Sequence, residues 1–272
     1  MSNEPPKAYS NDHFLNSPEA RAIRVQCELI EPEHRLLENE VNHTFVFFGS
    51  ARSKDPEVAQ KELEHLLENL PTETERTPEE VVSVTKAGQV LRLSKYYGDA
   101  VELSKMLTEW SLKIRDADQQ FLVCSGGGPG MMEAANKGAH EAGGKSIGLG
   151  ISLPFEQGVN EFASPELSFE FHYFFVRKFY FLYHAKALIV FPGGFGTMDE
   201  LFETLTLIQT QKLGKKIPIV LYGKEFWEGL INFEKYAEWG VISPGDLELF
   251  QIVDDVQTAY DIVLEGIKPY YL

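Results

Sequence analysis

The chain has 272 residues, 43% of them hydrophobic, enough for one large α/β core or two small ones, with no compositional sign of disorder beyond the ends. A formal net charge of -16 excludes a general binder of nucleic acid or anionic membrane, which needs a basic face, but leaves room for one small basic pocket. Cys27 and Cys124 are too few for a disulfide framework or a zinc site, and no signal peptide or membrane-spanning run is apparent, so a reducing cytoplasm is the expected setting.

Residues 1–40 carry prolines, asparagines and mixed charges without a sustained apolar period. They read as an N-terminal extension with a short helix around Ala20 to Ile30, packed either on the main domain or on a partner subunit. The main domain is expected over 41–272. Thr44 to Phe48 is β-branched and aromatic and ends at Gly49-Ser50-Ala51-Arg52, as a first strand does when it delivers its C-terminal end to a site. Ser50 is a candidate ligand contact there, with a helix cap as its alternative, and Arg52 reads equally well as a solvated charge. Residues 55–95 read as a helical insertion. The following stretch, Tyr97 to Ile114, has apolar spacing suited to packing on a sheet.

Phe121 to Cys124 predicts the next strand, which runs into Ser125-Gly126-Gly127-Gly128-Pro129-Gly130 and a helix from Met131 to Ala142. Ser146 to Ile151 predicts a third strand, followed by the loop Leu153-Pro154-Phe155-Glu156-Gln157-Gly158 and a stretch with little pattern from Val159 to Ser168. Phe169 to Phe175 is dense in aromatics, most simply core. Within the segment that follows, Arg177 and Lys178 are adjacent cations among apolar neighbours, costly to bury without an anionic partner. A phosphate is one such partner and an acidic side chain of the chain itself is the other.

Ala187 to Val190 is a short apolar run that ends at Phe191-Pro192-Gly193-Gly194-Phe195-Gly196-Thr197-Met198-Asp199-Glu200, and helical spacing follows at Leu201, Thr204, Leu205 and Ile208. Three glycines in four positions let a ligand approach the backbone, and Thr197 and Asp199 stand where a cap and first-turn residues belong. Glu200, read as a first-turn carboxylate, either complements the helix dipole or faces a sugar or a water. Further strands at Ile217 to Tyr222 and Phe250 to Val253, with helices at Phe226 to Tyr236 and Val256 to Ile267, bring the total to six or seven strands alternating with helices. That is the pattern of a doubly wound, mostly parallel α/β sheet.

Two glycine-rich helix N-termini can meet at the crevice where strand order reverses, and both suit a phosphate. The candidates they offer for phosphate or nucleotide binding are Ser50, Gly126, Gly127, Gly128, Gly130, Met131, Lys178, Gly193, Gly194, Phe195, Gly196 and Thr197. Neither loop fits the dinucleotide fingerprint, since the third glycine position is Glu133 in one and Asp199 in the other. Gly144-Lys145-Ser146 lacks the leading glycine of a triphosphate loop and follows a helix instead of opening one. His140-Glu141 lacks the second histidine of a zinc-protease helix, so no metal site is expected.

Together, Ser125-Gly126-Gly127-Gly128-Pro129-Gly130-Met131-Met132-Glu133, the Arg177-Lys178 pair and Pro192-Gly193-Gly194-Phe195-Gly196-Thr197-Met198-Asp199-Glu200 resemble the LOG family over roughly Thr44 to the C-terminus. Its members are cytokinin-activating nucleoside 5'-monophosphate phosphoribohydrolases, many formerly labelled lysine decarboxylase-like. The resemblance implies a Rossmann-like fold, a homodimer at minimum, no cofactor, and cleavage of AMP or an N6-modified AMP to free base and ribose 5-phosphate. It implies Arg177 and Glu200 as the catalytic pair, with phosphate and ribose contacts on Gly194 to Thr197 and at Thr206. The chain departs from compact plant members in Pro129-Gly130-Met131-Met132, in the extension and insertion, and at Phe155-Glu156. Two other readings compete. A pyridoxal-phosphate decarboxylase would need a Schiff-base lysine, for which Lys178 and Lys186 are nearest the motif. A non-catalytic nucleotide-binding module or carrier of molybdenum cofactor would use the same fold.

Overall fold

A computed structural model describes residues 5–152, 158–214 and 216–271; Leu153-Pro154-Phe155-Glu156-Gln157, noted above for its poor fit to the family pattern, lies outside the described residues. Among the described residues the strands are β1 (His43–Phe48), β2 (Phe121–Ser125), β3 (Ser146–Ile151), β4 (Ser168–Phe171), β5 (Ala185–Val190), β6 (Ile219–Tyr222) and β7 (Gln251–Val253). They form one sheet in the order β4-β3-β2-β1-β5-β6-β7 with every neighbouring pair parallel. The helices are α1 (Asp12–Leu15), α2 (Arg21–Glu38), α3 (Pro56–Glu68), α4 (Pro78–Ser111), α5 (Met131–Glu141), α6 (Phe174–Tyr183), α7 (Phe195–Gln209), α8 (Lys224–Leu230), α9 (Phe233–Glu238) and α10 (Val256–Tyr271).

Alternation along the strands divides the core in two. Phe45 and Phe47 of β1 join Leu103 and Leu107 of α4, Ala135 of α5 and Val263 of α10 on one face. Val46 and Phe48 join Phe181 of α6, Leu201 of α7 and Trp227 of α8 on the other. Both faces are covered, which is why the strands read as near-continuous apolar runs. The winding reverses between β1 and β5, so their C-terminal ends open the crevice where such sheets place ligands.

Three expectations change. The insertion holds α3 and then, from Pro78, runs without a break into the sheet-packing helix as one helix of 34 residues, opened by a capping box in which Thr77 Oγ1 accepts from the Glu80 N–H and the Thr77 N–H donates to the Glu80 carboxylate. Tyr96, Tyr97, Leu103 and Leu107 in its second half are buried, while Val81 and Val82 in its first half are exposed. Their different surroundings gave the two halves different polarity, but nothing between them breaks the helix; Gly88 alone costs only about 1 kcal/mol.

The extension packs on its own domain. α2 runs well past Ile30, with Pro32 inside it. The Glu28 carboxylate accepts from the backbone N–H groups of His172 and Tyr173 at 2.9 and 3.1 Å, the Tyr180 hydroxyl donates to the Leu29 carbonyl, and the Arg35 guanidinium lies 3.9 Å from the Phe169 ring centroid. The aromatics of α6 are likewise not all core: Val176, Tyr180 and Phe181 are buried, but Phe174, Phe175 and Phe179 on the outer side stand about half exposed. No helix among the described residues is long and apolar enough to cross a membrane.

Candidate functional site

Three loops meet at the reversal point, those after β1, β2 and β5, and backbone hydrogen bonds stitch them together. The Phe191 N–H donates to the Phe48 carbonyl (2.8 Å), the Ser50 N–H to Pro192 (2.9 Å) and the Met131 N–H to Ser50 (3.0 Å). The last bond needs Gly130, whose φ of +72° is a left-handed conformation and whose missing Cβ would run into the Ser50 carbonyl and the Ala51 backbone.

α7 starts earlier than its sequence suggests. Gly194 is the N-cap and Phe195 the first helical residue, so Thr197 is the third and Glu200 the sixth. Thr197 therefore caps nothing; its side chain fills the space a Cβ on Gly193 would occupy. Glu200 lies in the second turn, beyond the reach of a dipole-complementing role. No side chain caps the helix, and the space beside Gly194 and Gly196 is open. The first-turn N–H groups thus face an uncovered edge of the crevice, an arrangement that receives an anion.

The Arg177–Lys178 pair splits its work. Arg177 Nε donates to the Leu149 carbonyl at 2.6 Å and Nη2 to the Gly126 carbonyl at 3.3 Å, tying the ends of β3 and β2, while the guanidinium lies 5.0 Å from the Phe181 ring centroid. Lys178 Nζ sits 2.7 Å from both Asp199 Oδ2 and Glu203 Oε2. Burial presses its pKa down, but the bonds to Asp199 and Glu203 outweigh burial and hold it above the usual lysine value.

Glu200 lies among these charges and is itself buried, 7% exposed. Burial pushes its pKa up to about 7, the nearby Lys178 and Arg177 restraining the rise and Glu203 and Asp199 adding to it. A carboxyl poised near neutrality in a cleft is suited to proton transfer or to stabilising developing positive charge.

The structure thus brings together Ser50, Gly126, Gly127, Gly128, Gly130, Arg177, Lys178, Gly193, Gly194, Gly196, Thr197 and Glu200 around the reversal point. Phe195 begins the helix there, but its ring is 96% exposed and stands out in solvent. Two candidates are placed differently. The Met131 side chain is buried in the core and its N–H is already donated to Ser50. Thr206 is exposed, about 9 Å along α7 from Glu200, with its hydroxyl donating to the Phe202 carbonyl. Sequence reasoning passed over Asp199 and Glu203 as the partners of Lys178, although their spacing of four puts both on one helix face. It also passed over Asn160, whose side chain donates to the Gly127 and Gly128 carbonyls of the loop after β2, because its own loop offers no periodic signal.

The lysines do not fit a Schiff base. Lys178 is held protonated by two carboxylates, the opposite of what imine formation needs. Lys186 lies near the start of β5, about 20 Å along the chain from the glycine loop.

A family model described as possible lysine decarboxylase matches residues 132–263. The probable cytokinin riboside 5'-monophosphate phosphoribohydrolase LOG4 of Oryza sativa subsp. japonica is 29% identical over 57% of this chain and 64% of its own length. The cytokinin riboside 5'-monophosphate phosphoribohydrolase LOG3 of Arabidopsis thaliana is 30% identical over 62% of this chain and 74% of its own. Among solved structures, the molybdenum cofactor carrier protein of Chlamydomonas reinhardtii superposes with a TM-score of 0.43 at 17% identity, over 84% of this chain and 99% of that one.

Proposed function

The chain belongs to the LOG family, and from that premise we propose that it hydrolyses the N-glycosidic bond of a nucleoside 5'-monophosphate, AMP or an N6-modified AMP, to free base and ribose 5-phosphate. The observation that carries the reading is Glu200: a buried carboxyl, beside two cations, next to an uncapped helix N-terminus with open glycines.

The 5'-phosphate lies against the first-turn N–H groups of α7 and the loop after β2, and its remote binding energy positions the sugar. The C1'–N bond breaks through an oxocarbenium-like sugar, which the ionised Glu200 stabilises while orienting a water toward C1'. The water oxygen bonds to C1', the departing base keeps the electron pair of the broken bond, and a proton from that water reaches the base nitrogen. Arg177 keeps the loop after β2 in place through the Gly126 carbonyl and contributes positive charge near the site. We further propose that a second copy covers the outer side of α6: Phe174, Phe175 and Phe179 form an exposed aromatic face on a helix without a single carboxylate, in a chain of strong net negative charge.

The test is release of ribose 5-phosphate from AMP, GMP, CMP and isopentenyl-AMP, with Glu200→Gln alongside. Release that the variant loses supports hydrolysis, and the ranking of nucleotides identifies the base. No release from any of the four, with AMP still raising the melting temperature, refutes hydrolysis in favour of a nucleotide-binding protein.

A further inference from the structure

The loop after β2 is pinned at nearly every peptide. The Gly127 N–H donates to Ser125 Oγ at 3.0 Å, and the Gly126 carbonyl accepts from Arg177. The next two carbonyls, of Gly127 and Gly128, both accept from Asn160 Nδ2, at 2.9 and 3.1 Å, and the Asn160 backbone N–H also donates to Gly127 at 2.7 Å. Pro129 has no N–H to offer. Because a peptide's C=O and N–H point in opposite directions, a Gly127 carbonyl held toward Asn160 turns the Gly128 N–H the other way.

Asn160 is itself fixed from behind. Its Nδ2 lies 3.0 Å from Asn136 Oδ1, which also accepts from Ser125 Oγ at 2.7 Å, while Asn136 Nδ2 donates to Ser146 Oγ at 2.9 Å and to the Ile147 carbonyl at 3.2 Å. Asn136 is completely buried, so this is a satisfied polar network in a low-dielectric interior, which rigidifies what it holds. The approach of the loop between β3 and β4 is an independent observation. A Cβ on Gly148 would lie 2.5 Å from Val159 Cγ1, and one on Gly127 would lie 3.0 Å from the same atom. Glycine on both sides lets Val159 seat against the sheet and brings Asn160 over the loop.

We infer that Asn160 is a positioning residue for the 5'-phosphate: by holding the Gly127 and Gly128 carbonyls it aims the Gly128 N–H into the crevice. This rests on the reading that a nucleotide phosphate occupies the loop after β2. Asn160 touches no substrate and acts through the backbone it holds. Asn160→Asp keeps the shape but presents oxygen to the Gly127 and Gly128 carbonyls and to Asn136 Oδ1, whereas Asn160→Ser retains one donor.

The experiment uses the full chain and measures kcat and KM on the best nucleotide, together with inhibition by ribose 5-phosphate and by free adenine. Asn160→Asp is expected to raise KM and the ribose 5-phosphate inhibition constant each about tenfold, the loss of one well-placed donor set. The expected kcat stays within about threefold, adenine inhibition does not move, and Asn160→Ser falls between. Unchanged KM and ribose 5-phosphate inhibition in either folded variant would overturn the inference while leaving hydrolysis intact. Equal weakening of both inhibitors would overturn it in favour of a general structural role. If Asn160→Asp does not fold, Asn160→Ser carries the same comparison. A wild type that neither cleaves nor binds any nucleotide overturns the functional reading and this inference together.

Discussion

Replacing Glu200 by glutamine should stabilise the folded protein at alkaline pH while removing its activity. An ordinary glutamate ionises near 4.5, whereas burial raises Glu200 to about 7. Between those values the folded state holds a proton that the unfolded state has released, so stability falls as pH rises; the cost is absent below 4.5 and complete above about 7. At 1.36 kcal/mol per pH unit the interval amounts to roughly 3 kcal/mol. Glutamine has nearly the same shape and no ionisation, so the variant escapes this cost. For a chain of this length 3 kcal/mol corresponds to a rise in melting temperature of about 5 °C. Differential scanning calorimetry of both proteins without ligand, at pH 5 and pH 8, reads the effect directly. The variant should gain most of this margin at pH 8 and little at pH 5. An equal difference at the two pH values, or a variant less stable than wild type at pH 8, would refute the account of Glu200 as a buried, electrostatically costly carboxyl.

If ionised Glu200 is the working form, kcat/KM should fall tenfold per pH unit on the acid side, with its midpoint near 7; a flat profile from pH 5 to 8 would rule that role out. Lys178→Met removes a counter-charge from beside Glu200, so the same midpoint should move to higher pH; an unmoved midpoint would show that Lys178 does not tune the carboxyl. Gly130→Ala forces a side chain into a left-handed conformation and against the Ser50 carbonyl, and should cost more than about 1 kcal/mol in urea unfolding together with a raised KM for nucleotide; wild-type values for both would contradict the packing described. At the other end of the sheet, burial and then Lys186 hold His43 below the usual histidine range. Its contribution is full above about 6.5 and is lost as pH falls from there toward the folded value, so the melting temperature of His43→Phe relative to wild type should rise as pH is lowered from 7 to 5.5; an unchanged difference would contradict the shift.

Much of this was legible because the physical causes are local. Apolar runs such as Ala187 to Val190 followed at once by glycines mark strands delivering their ends to a crevice, and the seven parallel strands follow that reading. The Arg177-Lys178 pair was conspicuous because cations among aromatics need partners. Its division of labour was not, because Lys178 meets Asp199 and Glu203 only once α6 and α7 are packed on the same face of the sheet. The start of α7 was misjudged since a threonine after glycines is a reasonable cap, and only the seating of Thr197 over Gly193 moves the boundary. Asn160 could not be singled out at all: one asparagine in a loop without pattern acquires meaning from the carbonyls it meets, more than thirty residues earlier in the chain.

The family model begins at Met132, yet the helix bearing Arg177 and Lys178 receives its N-terminal carboxylate from Glu28. The segment ahead of the matched region therefore acts as a brace for the helix that bears Arg177 and Lys178. A protease that clipped the chain between α2 and β1 would leave every motif residue in place and still loosen the turn that precedes Arg177. A recombinant version beginning at β1 would inherit the same weakness, whereas one trimmed to the family boundary would also lose β1 and β2 from the middle of the sheet.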